Sequence, residues 1–294
     1  MANKDSLSPF LVDTGLDAPE AHVLHDLQTS DGDYWDHVAL DWQGRQSHKL
    51  WREYTDRLQI MLINRWLVTT LCRTDSSPSK VLKTDLFDEL SGRGLVSHLE
   101  ERGYSATGID VSPMVVAEVA RRNPRLNAIV ADVRDLPFPD EYFDSVYSGS
   151  TLDHFESPDD IGRSLREISR LLRPGGRLVL TMDNLQNPLV RLRNGPLLGL
   201  LRRVGIVPYR VGVTLEPYAL VKLVNASGLA VVTTTTVLHN PRVFAVALAR
   251  LIEHCPTGVQ EMFLEHLLRW ENLEQWPSHI WTGHFTAILA VKNG

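Results

Sequence analysis

Residues 105–155 read SATGIDVSPMVVAEVARRNPRLNAIVADVRDLPFPDEYFDSVYSGSTLDHF. Three runs in this stretch, 105–110, 127–131 and 143–148, have strand length and are bounded by turn residues. Between the first two, Ser112 is placed to cap a helix over 112–122, with Pro113 in its first turn. Working outward, the spacing predicts further strands at 80–86, 176–182, 229–237 and 284–292, and helices near 92–102, 159–172 and 216–227. Alternating strands and helices predict an α/β chain with a Rossmann-like, doubly wound parallel sheet and helices on both faces. In such sheets ligands bind beyond the carboxyl ends of the strands, so the residues just after each strand are the candidates.

The flanks divide the rest. Residues 1–30 are polar and predict a loose lead-in. Residues 31–78 read as an N-terminal helical extension. In it Trp35, Val38, Leu40 and Trp42 are apolar in a polar setting. Ser47 is placed to cap a helix through about Leu71, whose apolar face is Leu50, Trp51, Tyr54, Leu58, Met61, Leu62 and Trp66. That face either packs on the sheet or covers a ligand pocket. Thr74 to Lys80 is a linker by composition. Residues 79–294 form the main domain. It carries helical insertions at about 184–213 and 239–283, the second with helices around Val243–His254 and Gln260–Trp270.

Several classes are excluded. The chain has 294 residues, with 30 Lys and Arg against 36 Asp and Glu, a net charge of −6, so nucleic acid is not the expected partner. Cys72 and Cys255 form neither a disulfide framework nor a CxxC pair, which fits a reducing, cytoplasmic setting. No signal peptide and no apolar run of membrane-spanning length is visible. His254 and Cys255 have no partners at metal spacing, so no metal is expected.

The loop after the first strand, KTDLFDELSGRG (83–94), combines Asp85, Asp88 and Glu89 with Gly92 and Gly94. Its acidity disfavours a pyrophosphate and suits an ammonium or sulfonium ligand; the plainer alternative is a solvated acidic loop. Asp110, ending the second strand, is placed to accept from both hydroxyls of a ribose, which serves NAD and other adenosine ligands alike. Asp132 can accept from an adenine amine, and the Val133 N–H can donate to the ring.

Together, GIDVSP (108–113), ADVRDLPFPDEYFDSVYS (131–148), LDHF (152–155) and LREISRLLRPGGRLVL (165–180) resemble the class I S-adenosylmethionine-dependent methyltransferases, especially the ubiquinone and menaquinone C-methyltransferase group and many small-molecule O-methyltransferases. The resemblance covers 80–183 closely. It implies a seven-stranded sheet with the last strand antiparallel and S-adenosylmethionine at the carboxyl ends of the first strands. Asp110 would hold the ribose, Asp132 and Val133 the adenine, and Ser148 and Gly149 would lie beside the methionine part and the transferable methyl. The family's first motif, an acidic residue followed by a glycine run, is altered. Lys83 stands at the acidic position and Asp85 at the first glycine, and Gly92 and Gly94 come later. By charge and position, Asp85 or Glu89 would replace the missing contact to the methionine amine.

The expected reaction is in-line methyl displacement, in which alignment of the two reactants is worth about 7–11 kcal/mol. His154 is the candidate base when the acceptor is a hydroxyl or acidic carbon; a cap or packing role is the alternative. Between Asp183 and Glu216 there is no acidic residue, while Arg191, Arg193, Arg202, Arg203 and Arg210 alternate with aliphatic residues. That pattern suits an acidic or lipid-linked small-molecule acceptor, or peripheral contact with an anionic membrane; a solvated amphipathic helix is the plainer account. Competing readings are a non-catalytic, methyltransferase-like scaffold and an NAD-dependent dehydrogenase, the latter weakened by an incomplete GxGxxG. Nucleic-acid methylation is disfavoured because the fourth strand ends in Ser-Gly-Ser.

Overall fold

The computed structural model describes residues 31–44, 48–67, 78–91, 94–195, 198–199 and 210–294. Its sheet contains β1 (Lys80–Lys83), β2 (Ser105–Asp110), β3 (Asn127–Val130), β4 (Phe143–Gly149), β5 (Leu172–Asp183), β6 (Leu229–Val237) and β7 (Phe285–Lys292). The strand order is β3-β2-β1-β4-β5-β7-β6. β1 to β5 pair in parallel, and β7 runs antiparallel to both β5 and β6. This is the doubly wound sheet with an antiparallel last strand. The chain steps outward from β1 to β3, then returns to β4, so the topological switch lies between β1 and β4.

Alternating side chains split the core between the two sheet faces. Val81, Val179 and Leu289 belong to one cluster; Leu82, Leu178 and Ile288 belong to the other. On the first face α2 (Lys49–Trp66) buries Leu50, Trp51, Tyr54, Leu58, Leu62 and Trp66, with Met61 at the margin. Beside it α9 (Arg242–Ile252) and α10 (Thr257–Arg269) insert Ala245, Ala249, Leu264 and Leu267. On the second face α6 (Pro158–Leu171) buries Ile161, Leu165 and Ile168, and α8 (Pro217–Ala226) buries Leu220 and Val224. Full burial of each such side chain stabilises by about 1.5–3 kcal/mol, so the strand ends are held on a rigid slab. The remaining helices are α1 (Asp31–Gly44), α3 (Phe87–Ser91), α4 (Val96–Glu101), α5 (Pro113–Arg122), α7 (Pro188–Asn194) and α11 (His279–Thr282). No helix among the described residues is long and apolar enough to cross a membrane.

The stretch around Trp35, within the expected helical extension, is a helix, α1, which opens with Asp31 and Asp33 at its positive end. Three boundaries differ from the sequence expectation. β1 stops at Lys83, short of 86, because the Asp85 carboxylate accepts from the Phe87 N–H at 2.7 Å and turns the chain into α3. The helix expected over 92–102 is interrupted: α3 ends at Ser91, Gly94 takes φ +69°, and α4 begins at Val96. β5 begins at Leu172, before 176, so the RPGG turn falls within its span. Residue 48, a left-handed histidine (φ 102°), precedes α2. Ser47, the expected cap, lies outside the described residues, as do 1–30, most of the 74–80 linker, Gly92, Arg202 and Arg203.

Candidate active site

The carboxyl ends of β1 and β2 bring acidic groups around one buried lysine. Lys83 is 2% exposed; its Nζ donates to the Asp85 carbonyl at 2.5 Å and lies 3.9 Å from Asp85 Oδ2 and 3.6 Å from Glu89 Oε1. Burial alone would lower its ammonium, but Asp85, Glu89, Asp88 and Asp110 outweigh that and raise it, so it stays charged. Burial pushes the Asp85 and Glu89 carboxyls up, against the pull of Lys83. Burial acts on Asp88 in the same direction. Lys83 and Arg52, the latter reaching over from α2 at 2.9 Å, overcome it and hold Asp88 low, with Gln59 at 2.8 Å.

Glu89 also closes the gap between α3 and α4. Its Oε1 accepts from the N–H groups of Leu95 at 2.8 Å and Val96 at 3.2 Å, supplying the opening of α4 with an acceptor. Gly94 is required there, since a Cβ would lie 1.7 Å from Glu89 Oε2. Asp110 accepts from Ser112 N–H at 2.9 Å and Leu86 N–H at 3.1 Å. Burial, then the like charge of Asp85, pushes its carboxyl up to about 7. The Ser112 hydroxyl caps α5 by accepting from Val115 N–H at 3.0 Å, as the sequence implied.

At the ends of β3 and β4 the expected residues have partners within the chain. The Asp132 carboxylate is gripped by the Arg134 side chain, Nε at 2.9 Å and Nη2 at 2.5 Å, and takes the Arg134 N–H at 2.8 Å. Burial raises this carboxyl, but Arg134 outweighs it and holds it low. Val133 is buried in the second core cluster. The buried Ser148 hydroxyl accepts from Thr84 Oγ1 at 2.9 Å, which also meets Thr151 Oγ1 at 2.9 Å. A Cβ on Gly149 would press on the Tyr147 ring at 2.9 Å, and Ser150 follows with φ 50°. His154 lies on the short turn Leu152–His154. Its Nδ1–H donates to the Arg210 carbonyl at 3.0 Å, which leaves the imidazole lone pair on Nε2.

α1 lies across these ends. Asp36 accepts from the Ser112 hydroxyl and from Met114 N–H at 3.1 Å. Asp31 pairs with Arg134 at 2.8 Å, the Tyr34 hydroxyl accepts from Arg210 N–H at 2.5 Å, and the Trp35 ring meets His154 edge-on at 4.7 Å. The helix thus touches segments that follow β2, β3 and β4. No periodic pattern in the sequence signals this, although the acidic pair at 31 and 33 marks a helix start.

Sequence reasoning also missed a buried group beyond β5. Asp183 pairs with Arg193 of α7 and lies 3.5 Å from His284 Nε2, to which Arg242 donates at 3.1 Å. Burial first, then Arg242, pushes His284 down to about 3, so it is neutral. Asp153 takes the Asp183 N–H at 3.3 Å, and burial pushes its carboxyl up to about 6.

Residues 91–180 match a family described as the methyltransferase domain. The chain is 34% identical over 126 residues to the demethylmenaquinone methyltransferase of Beutenbergia cavernae, covering 42% of this chain and 50% of the relative. It is 30% identical over 88 residues to the malonyl-[acyl-carrier protein] O-methyltransferase of Enterobacter lignolyticus, covering 30% and 34%. The chain therefore spans half or less of the length of these relatives. In fold it is similar to the [4+2]-cyclase SpnF, with TM-score 0.52, 20% identity, and coverage of 81% of this chain and 80% of that one. Residues 91–180 of this chain are thus similar to a methyltransferase domain, and the four ordered motifs and this sheet order accompany that match.

Proposed function

We propose that the chain transfers the methyl group of S-adenosylmethionine to a small-molecule acceptor. One observation carries this reading. At the switch point four carboxylates, Asp85, Asp88, Glu89 and Asp110, stand against two cations, Lys83 and Arg52. That surplus fits a ligand bearing an ammonium and a sulfonium and opposes a pyrophosphate. Asp110, raised to about 7 by burial and then by the like charge of Asp85, is stabilised as an anion by a cation brought beside it. Each Asp110 oxygen spends one lone pair on a backbone N–H and keeps another for a ribose hydroxyl.

The sulfonium supplies an already activated methyl group. The chain's own part is to align the acceptor, exclude water and take a proton. α1, lying over the ends of β2 to β4, is suited to exclude water. Ser148 and Gly149 mark the place of the methionine part, on a turn stiffened by Thr84 and Thr151. His154, with Nδ1–H donated to Arg210, presents Nε2 as base. As the new bond to the methyl forms and its bond to sulfur breaks, Nε2 takes the proton the acceptor loses.

The arginines after Asp183 favour an acidic or lipid-linked acceptor. The names of the two curated relatives, one acting on demethylmenaquinone and one on a malonyl-carrier, support an acceptor that is not nucleic acid. A cytoplasmic location belongs to the same reading. Calorimetry with S-adenosylmethionine and S-adenosylhomocysteine tests it. Binding of both, weakened by Asp110→Ala, is expected, followed by methyl transfer within a panel of acidic and isoprenoid-bearing acceptors. A chain that binds neither adenosyl compound overturns the proposal.

A further inference from the structure

Tyr147 of β4 carries a buried hydroxyl that the chain itself does not use. Its backbone pairs with Lys83 of β1, and its carbonyl accepts from Thr84 N–H at 3.1 Å. The side chain is 1% exposed and belongs to the core cluster that α2 helps to build. Side chains two apart on a strand share a face, so the ring runs along β4 toward Gly149. There its Oη stands 2.9 Å from the place a Cβ on Gly149 would take. Among the described residues this hydroxyl has no hydrogen-bond partner. A phenol taken out of water with its O–H unmatched is costly, and this one ends at the turn assigned to the methionine part of the cofactor.

The charges around the hydroxyl select the atom it would meet. Burial, then Asp88, Asp85 and Asp56, holds the phenol well above its usual range, so it stays a protonated, neutral donor. The methionine part of S-adenosylmethionine bears an ammonium, a sulfonium and a carboxylate. The acidic group at the switch point favours the first two and opposes the third. Both cations of that group are committed. Lys83 Nζ is spent on the Asp85 carbonyl and on the carboxylates of Asp85 and Glu89, and Arg52 is spent on Asp88. A carboxylate entering beside them needs a donor with no commitment inside the chain, and the Tyr147 O–H is such a donor at the right end of β4.

We propose that the Tyr147 hydroxyl donates to the methionine carboxylate of bound S-adenosylmethionine and so positions the amino-acid end of the cofactor at the Gly149 turn. The inference rests on the cofactor reading above. It adds the residue by which the site tells an adenosyl ligand with an α-carboxylate from one without.

Calorimetry on the full chain and on Tyr147→Phe tests it with three ligands. S-adenosylmethionine carries all three charges. S-adenosylhomocysteine keeps the carboxylate and lacks the sulfonium. Decarboxylated S-adenosylmethionine keeps the ammonium and sulfonium and lacks the carboxylate. The Phe variant should bind the first two about tenfold or more weakly, as for loss of one hydrogen bond to a charged group, and the third as the parent does. Its unfolding midpoint without ligand should equal or exceed the parent's, because the deleted hydroxyl has no partner to lose. An equal loss for all three ligands overturns the inference, and so does a fall in the ligand-free midpoint, which would give the hydroxyl a structural role. A loss confined to S-adenosylmethionine places the hydroxyl at the sulfonium and overturns it too. A parent that binds S-adenosylmethionine no better than the Phe variant does overturns this inference alone; a parent that binds none of the three overturns the cofactor reading with it.

Discussion

Gly94 and Glu89 are fitted to one another: the carboxylate that opens α4 occupies the space a Cβ at position 94 would need, 1.7 Å from Oε2. This pair carries the chain from α3 into α4, just beyond the end of β1.

Gly94→Ala should therefore displace Glu89 as well as strain the backbone at φ +69°. The expected loss is about 1–3 kcal/mol in urea unfolding. Gly103→Ala, also at positive φ but with nothing near its Cβ, reports the backbone part alone. Equal losses at the two positions would refute the pairing.

Lys83→Met should remove the only fully buried cation among four carboxylates. Breaking a buried pair from one side costs about 3–5 kcal/mol. Asp85, Glu89 and Asp110 already have carboxyls raised by burial, so their protons are held more tightly in the folded than in the unfolded state. Folded carboxyls of this kind lose stability as pH rises above the unfolded value and regain it as pH falls. The variant's deficit should thus shrink from pH 8 to pH 5 in chemical denaturation, and a constant deficit would count against the charge account.

Adenosyl binding should depend on pH through Asp110. With its carboxyl near 7 before binding, a cationic ligand must expel a proton, so affinity should fall as pH drops from 8 to 6. Asp110→Asn should bind more weakly at pH 8 and show a flatter profile. Calorimetry in two buffers of different ionisation enthalpy reads the released proton directly.

Asp36→Ala should loosen α1, because Asp36 supplies acceptors for Ser112 and Met114. A cost of about 1 kcal/mol is expected, as for loss of a helix cap. Hydrogen exchange should quicken across 31–44 while the β4 and β5 amides keep their protection. Uniform acceleration would mean that α1 is part of the global core and not a separable cover.

Acid should destabilise the protein through His284. Its imidazole is held near 3 by burial and Arg242, against about 6.5 unfolded, so protons bind the unfolded chain first. Stability should fall as pH goes from 6.5 toward 3, and His284→Asn should flatten that slope in thermal melts.

The strands were legible because each is a short apolar run ended by turn residues, and the parity of Val81 and Leu82 or Leu178 and Val179 is a local property. The Ser112 cap was legible for the same reason: the N–H it accepts from is a neighbour in sequence. The Asp132–Arg134 fork is equally local, yet the sequence reading passed over it. What could not be read was contact at long range. Asp36 meets Ser112 across 76 residues, and Asp183 meets its histidine only because β7 lies beside β5. Lys83 looked like a defect in the first motif. Only the packed chain shows it as the centre of the acidic group.

β7 lies between β5 and β6, although it is made after both. Among the described residues β6 has no other strand neighbour, so during synthesis it must wait for a strand made only after the helices of the second insertion. The half of the sheet from β1 to β4 can pair as it emerges. Docking of the α9 and α10 layer is thereby tied to the latest event in folding, and damage confined to residues 285–292 would release β6 and that layer together while leaving the β1-to-β4 half of the molecule its own strand ladder.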